Sequence, residues 1–188
     1  DGVPFGVVGN APTYSFDPSM GGTFVATLTV DDGDGGITST SSLILVANPT
    51  GGTLNVTPAT IQGIPNLNQV LVQGLEGNDS ISVDSSITLP VVLDGAGGND
   101  TLVAGSGNDR LSAGTGDNLL IAGQGDDTLI GGGSDDMLGG LGNDEYIVHF
   151  SDVRLFEEGD GIDTIDLSNV QQGVTFDLSI QDGTSQTV

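Results

Sequence analysis

An apolar residue that recurs every nine residues is the feature that most constrains the fold of this chain. The recurring residues are large and apolar, they stand nine residues apart until a last step of eight, and they are Leu102, Leu111, Leu120, Leu129, Leu138 and Tyr146. So short a unit cannot bury its apolar side chain alone, which means that the units must stack on one another. The spacing therefore predicts a coil of repeating units.

A glycine-rich acidic turn precedes each of these apolar residues. Two positions before each one stands an aspartate or asparagine, and these are Asp100, Asp109, Asn118, Asp127, Asp136 and Asp144. The glycines of the turns are Gly95, Gly98, Gly105, Gly107, Gly114, Gly116, Gly123, Gly125, Gly132, Gly140 and Gly142. Because glycine accepts a positive φ and lets the backbone approach closely, such turns can direct several carbonyl groups toward one point.

The three residues after each aspartate or asparagine predict a short strand. Alternation along a strand turns its middle, apolar side chain inward and the neighbouring side chains outward. Two units complete one coil, so the apolar residues stack into two ladders and the acidic turns into two columns. The predicted fold class is all-β, a parallel β-roll, which is a β-solenoid.

The charge of the chain requires a compensating partner. Lys and Arg together number 2, whereas Asp and Glu together number 26, which gives a formal net charge of -24. Such a polyanion repels phosphate, which excludes nucleic acid as a partner. No apolar stretch approaches the ~20 residues of a membrane span, and the absence of cysteine excludes disulfides. Carboxylates and backbone carbonyls are the ligands that calcium prefers, so we expect a roll loaded with several calcium ions.

The repeats resemble a known family. Units such as AGSGNDRLS and AGQGDDTLI are similar to the RTX nonapeptide, the calcium-binding repeat of secreted bacterial proteins. The resemblance implies calcium between turns one full coil apart, held by the repeat carboxylates and by carbonyls of the turn glycines. It implies one column of Asp100, Asn118 and Asp136 and another of Asp109, Asp127 and Asp144. Asp117 is expected to compensate partly for the neutral Asn118.

The margins of the array suggest two further ligands. A detached repeat at 74–82 contains Asp79, which stands 21 residues before Asp100. At the other end, the segment around Glu157 and Asp163 resembles the cap that often closes RTX arrays, and Asp163 is the acidic residue there that we expect to bind metal. The roll with its cap is predicted over 69–167.

The N-terminal part has a different pattern. Alternation over 24–30 and a second strand over 38–46, joined by an acidic glycine turn, predict a hairpin. This hairpin resembles the end of PKD-like or immunoglobulin-like modules of bacterial surface proteins. We therefore expect a partial β-sandwich over 1–48, a connector over 49–68, and a trailing β segment over 168–188 that continues into a further module.

Two functions agree with these features. With His149 as its single histidine and no cysteine, the chain offers no nucleophile with a dedicated base, so we expect no enzyme activity. The first hypothesis is a calcium-binding structural module of a large exported bacterial protein, an adhesin or surface protein, that folds on calcium outside the cell. The resemblance also allows the non-catalytic repeat region of a secreted protease, lipase or epimerase. Either protein is extracellular, and any cell-surface or matrix ligand would bind to other modules.

Overall fold

The computed structural model describes residues 22–31, 37–47, 50–131, 134–149, 154–156 and 159–170. For residues 22–40 it describes the backbone alone. The predicted acidic hairpin turn, Gly132, Glu157 and the trailing segment from residue 171 lie outside the described residues.

Two sheets, both built mainly from parallel strands, form the fold. In spatial order the first sheet contains β1 (Gly22–Asp31), β2 (Ile37–Val46), β4 (Leu67–Gln73), β6 (Val91–Asp94), β8 (Arg110–Ser112), β10 (Thr128–Gly131), β12 (Glu145–Val148) and β14 (Thr164–Asp166). The second sheet contains β3 (Thr53–Val56), β5 (Ser80–Val83), β7 (Thr101–Val103), β9 (Leu119–Gln124), β11 (Asp136–Leu141) and β13 (Arg154–Phe156).

The path of the chain between the two sheets makes the fold a solenoid. From β2 onward successive strands alternate between the sheets, so one strand of each sheet makes one coil. A short helix, α1 (Pro58–Ile61), lies between β3 and β4. No helix among the described residues is long and apolar enough to cross a membrane. The predicted all-β fold, a parallel β-roll, is confirmed.

A ladder of apolar side chains on each sheet forms the centre of the core. Paired positions of the first sheet are Leu45, Val72, Leu93, Leu111, Leu129, Tyr146 and Ile165. Those of the second sheet are Leu54, Ile81, Leu102, Leu120, Met137 and Leu155. Full burial of such a side chain stabilises the fold by about 1.5–3 kcal/mol. The leucine ladders thus hold the acidic turns in two columns at the edges of the sheets.

The anchor predicted at Leu138 is wrong by one residue. Met137 is 0% exposed and pairs with Leu120, whereas Leu138 is only partly buried. The short step of eight residues therefore falls between Leu129 and Met137, and Tyr146 follows Met137 after nine. A shift of one residue turns a strand's side chains to the opposite face, so strand pairing, and not residue type, distinguishes the adjacent Met137 and Leu138.

The N-terminal hairpin is continuous with the roll. β1 pairs with β2 in antiparallel fashion along their whole length, and β2 then pairs in parallel with β4. The predicted connector contributes β3, which pairs with β5 as the first strand of the second sheet. In the described residues the hairpin thus extends the first sheet of the roll and has no second sheet of its own, so the resemblance to a PKD-like module finds no support there.

Candidate metal centre

The first column of turns contains a ladder of buried side-chain oxygens. The backbone N–H of Asp79 donates a hydrogen bond to Oδ1 of Asp100 (2.8 Å), and the N–H of Asp100 donates to Oδ1 of Asn118 (2.7 Å). The N–H of Asn118 donates in turn to Oδ1 of Asp135 (2.9 Å). Each side chain therefore ties its own turn to the turn of the preceding coil, 17 to 21 residues earlier.

The second column repeats this arrangement on the other edge. The N–H of Asp109 donates to Oδ1 of Asp127 (2.7 Å), and that of Asp127 donates to Oδ1 of Asp144 (2.9 Å). The N–H of Asp144 donates to Oδ1 of the partly buried Asp163 (2.9 Å). The structure thus places Asp79 at the start of the first column and Asp163 at the end of the second.

Asp136, which the spacing predicted as a column member, lies outside both columns. Asp135 is fully buried and takes its place, because the short step between Leu129 and Met137 moves the aspartate as well as the anchor. The Asp136 carboxylate instead accepts two hydrogen bonds from the Arg154 guanidinium, at 2.5 and 2.7 Å. This pair is exposed, and such pairs contribute little to stability.

Asp117 also lies outside the columns and belongs to a second, exposed ladder. Its backbone N–H donates to Oδ1 of Asn99 (3.1 Å), and the N–H of Asn99 donates to Oδ1 of Asn78 (2.9 Å). On the other edge Asn108, Asp126 and Asn143 are linked in the same way. The sequence signal for this ladder was visible, since an Asn or Asp directly precedes each column residue in these turns, but its role was not predicted.

Four buried carboxylates of the columns have oxygens without a hydrogen-bond partner. They are Asp79, Asp100, Asp127 and Asp144, and in each of them Oδ2 is unpaired. Their side chains are between 1% and 3% exposed. An ionised carboxylate held out of water without a partner is costly, so each of these groups requires either a proton or a cation.

The pKa values of the column carboxylates show the same requirement. Burial raises the pKa of Asp79, Asp100, Asp109 and Asp144 above the ordinary 3.8, although backbone N–H groups partly oppose this. For Asp127 burial is again the main cause, and the carboxylates of Asp109 and Asp144 add to it, so the pKa rises to about 7. Without a cation the columns therefore favour protonated carboxyl groups.

Columns of glycine carbonyls run along the turns, next to side-chain oxygens of the exposed ladder such as those of Asn99 and Asn108. The carbonyl oxygen of Gly98 points at Gly116 of the next coil so closely that a Cβ there would clash with it. The same holds for the carbonyl of Gly107 beneath Gly125. Of the predicted turn glycines, a positive φ is found at Gly98, Gly114, Gly116, Gly123, Gly125, Gly140 and Gly142.

The donors available around the columns fit a hard cation. Beside Gly95, the Oδ2 of Asp100 and the carbonyl oxygen of Ala113 lie 2.5 and 2.6 Å from the point that a Cβ would occupy. Among the described residues no three Asp, Glu, His or Cys side chains come together, so backbone carbonyls must complete any site. Carboxylate and carbonyl oxygens in a flexible, irregular shell suit calcium better than magnesium or zinc.

Comparison with known families also indicates that these turns bind calcium. The central turns match the RTX calcium-binding nonapeptide repeat. The family model, which spans four copies of the repeat, matches residues 94–129 and again 112–146. RTX repeats bind several calcium ions in each repeat region, so calcium is the cation of these turns. No curated protein and no solved structure shows significant similarity to the chain.

Proposed function

We propose that this chain is a calcium-dependent structural module of a large exported bacterial protein of the adhesin or surface-protein type. The observation that carries the proposal is the set of unpaired, buried carboxylate oxygens at Asp79, Asp100, Asp127 and Asp144. A fold that buries negative charge in this way requires a counter-charge within its turns.

The residues that would hold calcium are the column carboxylates with an unpaired buried oxygen, together with backbone carbonyls of the turns such as those of Gly95 and Ala113. Bound calcium would supply positive charge and would coordinate the carboxylate oxygens that have no hydrogen-bond donor in the protein. The chain's own residues supply the rest. The leucine ladders fix the distance between coils, and N–H bonds to Oδ1 orient the carboxylates of Asp100, Asp127 and Asp144. Asp163 extends the second column in the same way.

The free energy of calcium binding is large enough to control folding. If each site had a dissociation constant near ~10⁻⁴ M and external calcium were ~10⁻² M, each ion would contribute about 2.7 kcal/mol. A few independent sites then match the ~5–15 kcal/mol by which ordinary domains are stable. In a cytoplasm poor in free calcium the carboxylates repel one another and the chain stays extended, which suits the type I export associated with RTX proteins.

The adhesin assignment draws on sequence alone: 24–46 resembles a hairpin of modules of bacterial surface proteins, although in the described fold this hairpin belongs to the first sheet of the roll. The alternative, the repeat region of a secreted protease, lipase or epimerase, has the same roll and places the active site elsewhere in the polypeptide. Flanking sequence separates the two proteins: further immunoglobulin-like modules favour the adhesin, and an HExxH or GxSxG segment favours the enzyme.

Equilibrium dialysis of the chain against calcium tests the calcium-binding role. We expect several ions per chain at saturation, and little binding of magnesium at the same concentration, because magnesium demands a small octahedral shell. A chain that binds no calcium at millimolar concentration would refute the proposed function.

A further inference from the structure

The carboxylates of the two columns differ in whether their Oδ2 atom has a hydrogen-bond partner. Unpaired oxygens occur in two neighbouring pairs of turns, Asp79 with Asp100 in the first column and Asp127 with Asp144 in the second. The members of each pair lie one coil apart and are joined by an N–H bond, of 2.8 Å in the first pair and 2.9 Å in the second. Among the described residues, the buried carboxylate oxygens without a hydrogen-bond partner thus lie in the N-terminal part of one column and the C-terminal part of the other.

Asp109 differs from these four carboxylates because both of its oxygens have partners. Oδ1 accepts the N–H of Val91 (2.8 Å), and Oδ2 accepts the N–H of Gly105 (3.2 Å) within its own turn. Backbone amides therefore satisfy this carboxylate, although it is 3% exposed. Asp109 thus presents no unpaired oxygen to a cation.

Asn118 plays a corresponding part in the first column. Its Oδ1 accepts the N–H of Asp100, while its Nδ2 donates to Oδ1 of Asp135 (2.9 Å). The amide thus accepts from one coil and donates to the next. The uncharged Nδ2–H of Asn118 thus donates to the Asp135 carboxylate in place of a cation.

The space beside the carboxylates follows a related pattern. A glycine five residues earlier lies next to three of the unpaired oxygens, at Gly74, Gly95 and Gly139. Buried alanines fill the same position before the satisfied residues, Ala104 before Asp109 and Ala113 before Asn118. Ala122 stands at the same position before Asp127. Three of the four carboxylates with an unpaired oxygen therefore have a glycine there, and the fourth has an alanine.

On the basis of the calcium-dependent role proposed above, we infer that calcium binds in two separate clusters at diagonal corners of the roll, one at Asp79 and Asp100 and the other at Asp127 and Asp144. The coils between them, at Asp109 and Asn118, are joined by metal-free hydrogen bonds. Calcium loading is therefore not uniform along the repeats, although the sequence pattern of the turns is nearly regular.

A matched pair of substitutions within one column tests this division. In Asp109→Asn and Asp127→Asn the new amide keeps an oxygen that can accept the N–H of the preceding coil. Calcium bound at saturation is counted by equilibrium dialysis of the whole chain, with circular dichroism to show that each variant is folded. Asp127→Asn is expected to bind at least one ion fewer than the wild type, and Asp109→Asn the same number. If Asp127→Asn does not fold in calcium, Asp79→Asn replaces it with the same expected loss.

A substitution that should gain calcium complements this pair. Asn118→Asp removes the Nδ2 donor and places a second carboxylate against Asp135, so the variant is expected to bind at least one additional ion. Equal losses in Asp109→Asn and Asp127→Asn, a wild-type count in Asp127→Asn, or no gain in Asn118→Asp would each overturn the inference. These outcomes differ from a failure of the proposed function, in which the wild-type chain itself binds no calcium.

Discussion

Single glycines determine how closely successive coils can stack. Gly116 has a φ of +118°, and a Cβ on it would clash with the carbonyl oxygen of Gly98 in the coil before. Gly63 has a similar positive φ of +83°, yet no atom lies within 4 Å of the position of its Cβ. Substitutions at these two positions therefore distinguish the free-energy cost of a positive φ from the cost of a clash with the carbonyl column.

Gly116→Ala is therefore expected to destabilise the calcium-loaded chain far more than Gly63→Ala. A positive φ alone costs an alanine about 1–2 kcal/mol, and at position 116 the clash with backbone adds about 1–3 kcal/mol, for a total of about 2–5 kcal/mol. Urea denaturation in saturating calcium measures both variants. Equal losses of stability would mean that the Gly98 carbonyl is not held against Gly116.

The raised pKa values predict how the metal-free chain responds to acid. A carboxyl whose pKa is higher in the folded state binds protons more strongly there, so it favours folding below its ordinary pKa of 3.8. This contribution is lost as the pH rises toward about 7, the pKa of Asp127. In excess chelator we expect the chain to be more resistant to urea at pH 5 than at pH 8. Greater resistance at pH 8 would contradict the burial of unpaired carboxylates.

At the level of strands, the eight-residue unit shows what the sequence could and could not predict. The repeat predicted the short strands, the inward leucines and the aspartate columns, because each of them depends on residue spacing in the sequence. The position of the missing residue was not predictable, because the unit contains the adjacent pairs Asp135-Asp136 and Met137-Leu138, and either member suits the pattern. Pairing of β11 with β9 decides between them.

Truncation of these two neighbours tests the strand alignment. Met137→Ala removes a fully buried side chain and is expected to cost about 2–5 kcal/mol, whereas Leu138→Ala at its partly buried site should cost less than about 1.5 kcal/mol. Denaturation in saturating calcium gives both values. The opposite order would restore the uninterrupted nine-residue spacing that ends at Leu138.

At the scale of the whole molecule, hydrophobic ladders and acidic columns oppose each other. The ladders favour stacking of the coils, while a formal net charge of -24 and the buried carboxylates disfavour it. The need for a cation was predictable from composition, because two Lys and Arg residues cannot neutralise 26 acidic ones. The partners of Asp109 and Asn118 were not predictable, because they depend on which backbone amide each side-chain oxygen faces after folding.

Circular dichroism across a calcium titration tests the dependence of folding on calcium most directly. Near neutral pH, chelated chain is expected to lack the β structure of residues 70–167 and to gain it cooperatively as calcium is added, while magnesium substitutes poorly. Residues 1–48 could contribute a small constant signal. A strand signal of full size in excess chelator at neutral pH, unchanged by calcium, would contradict the account.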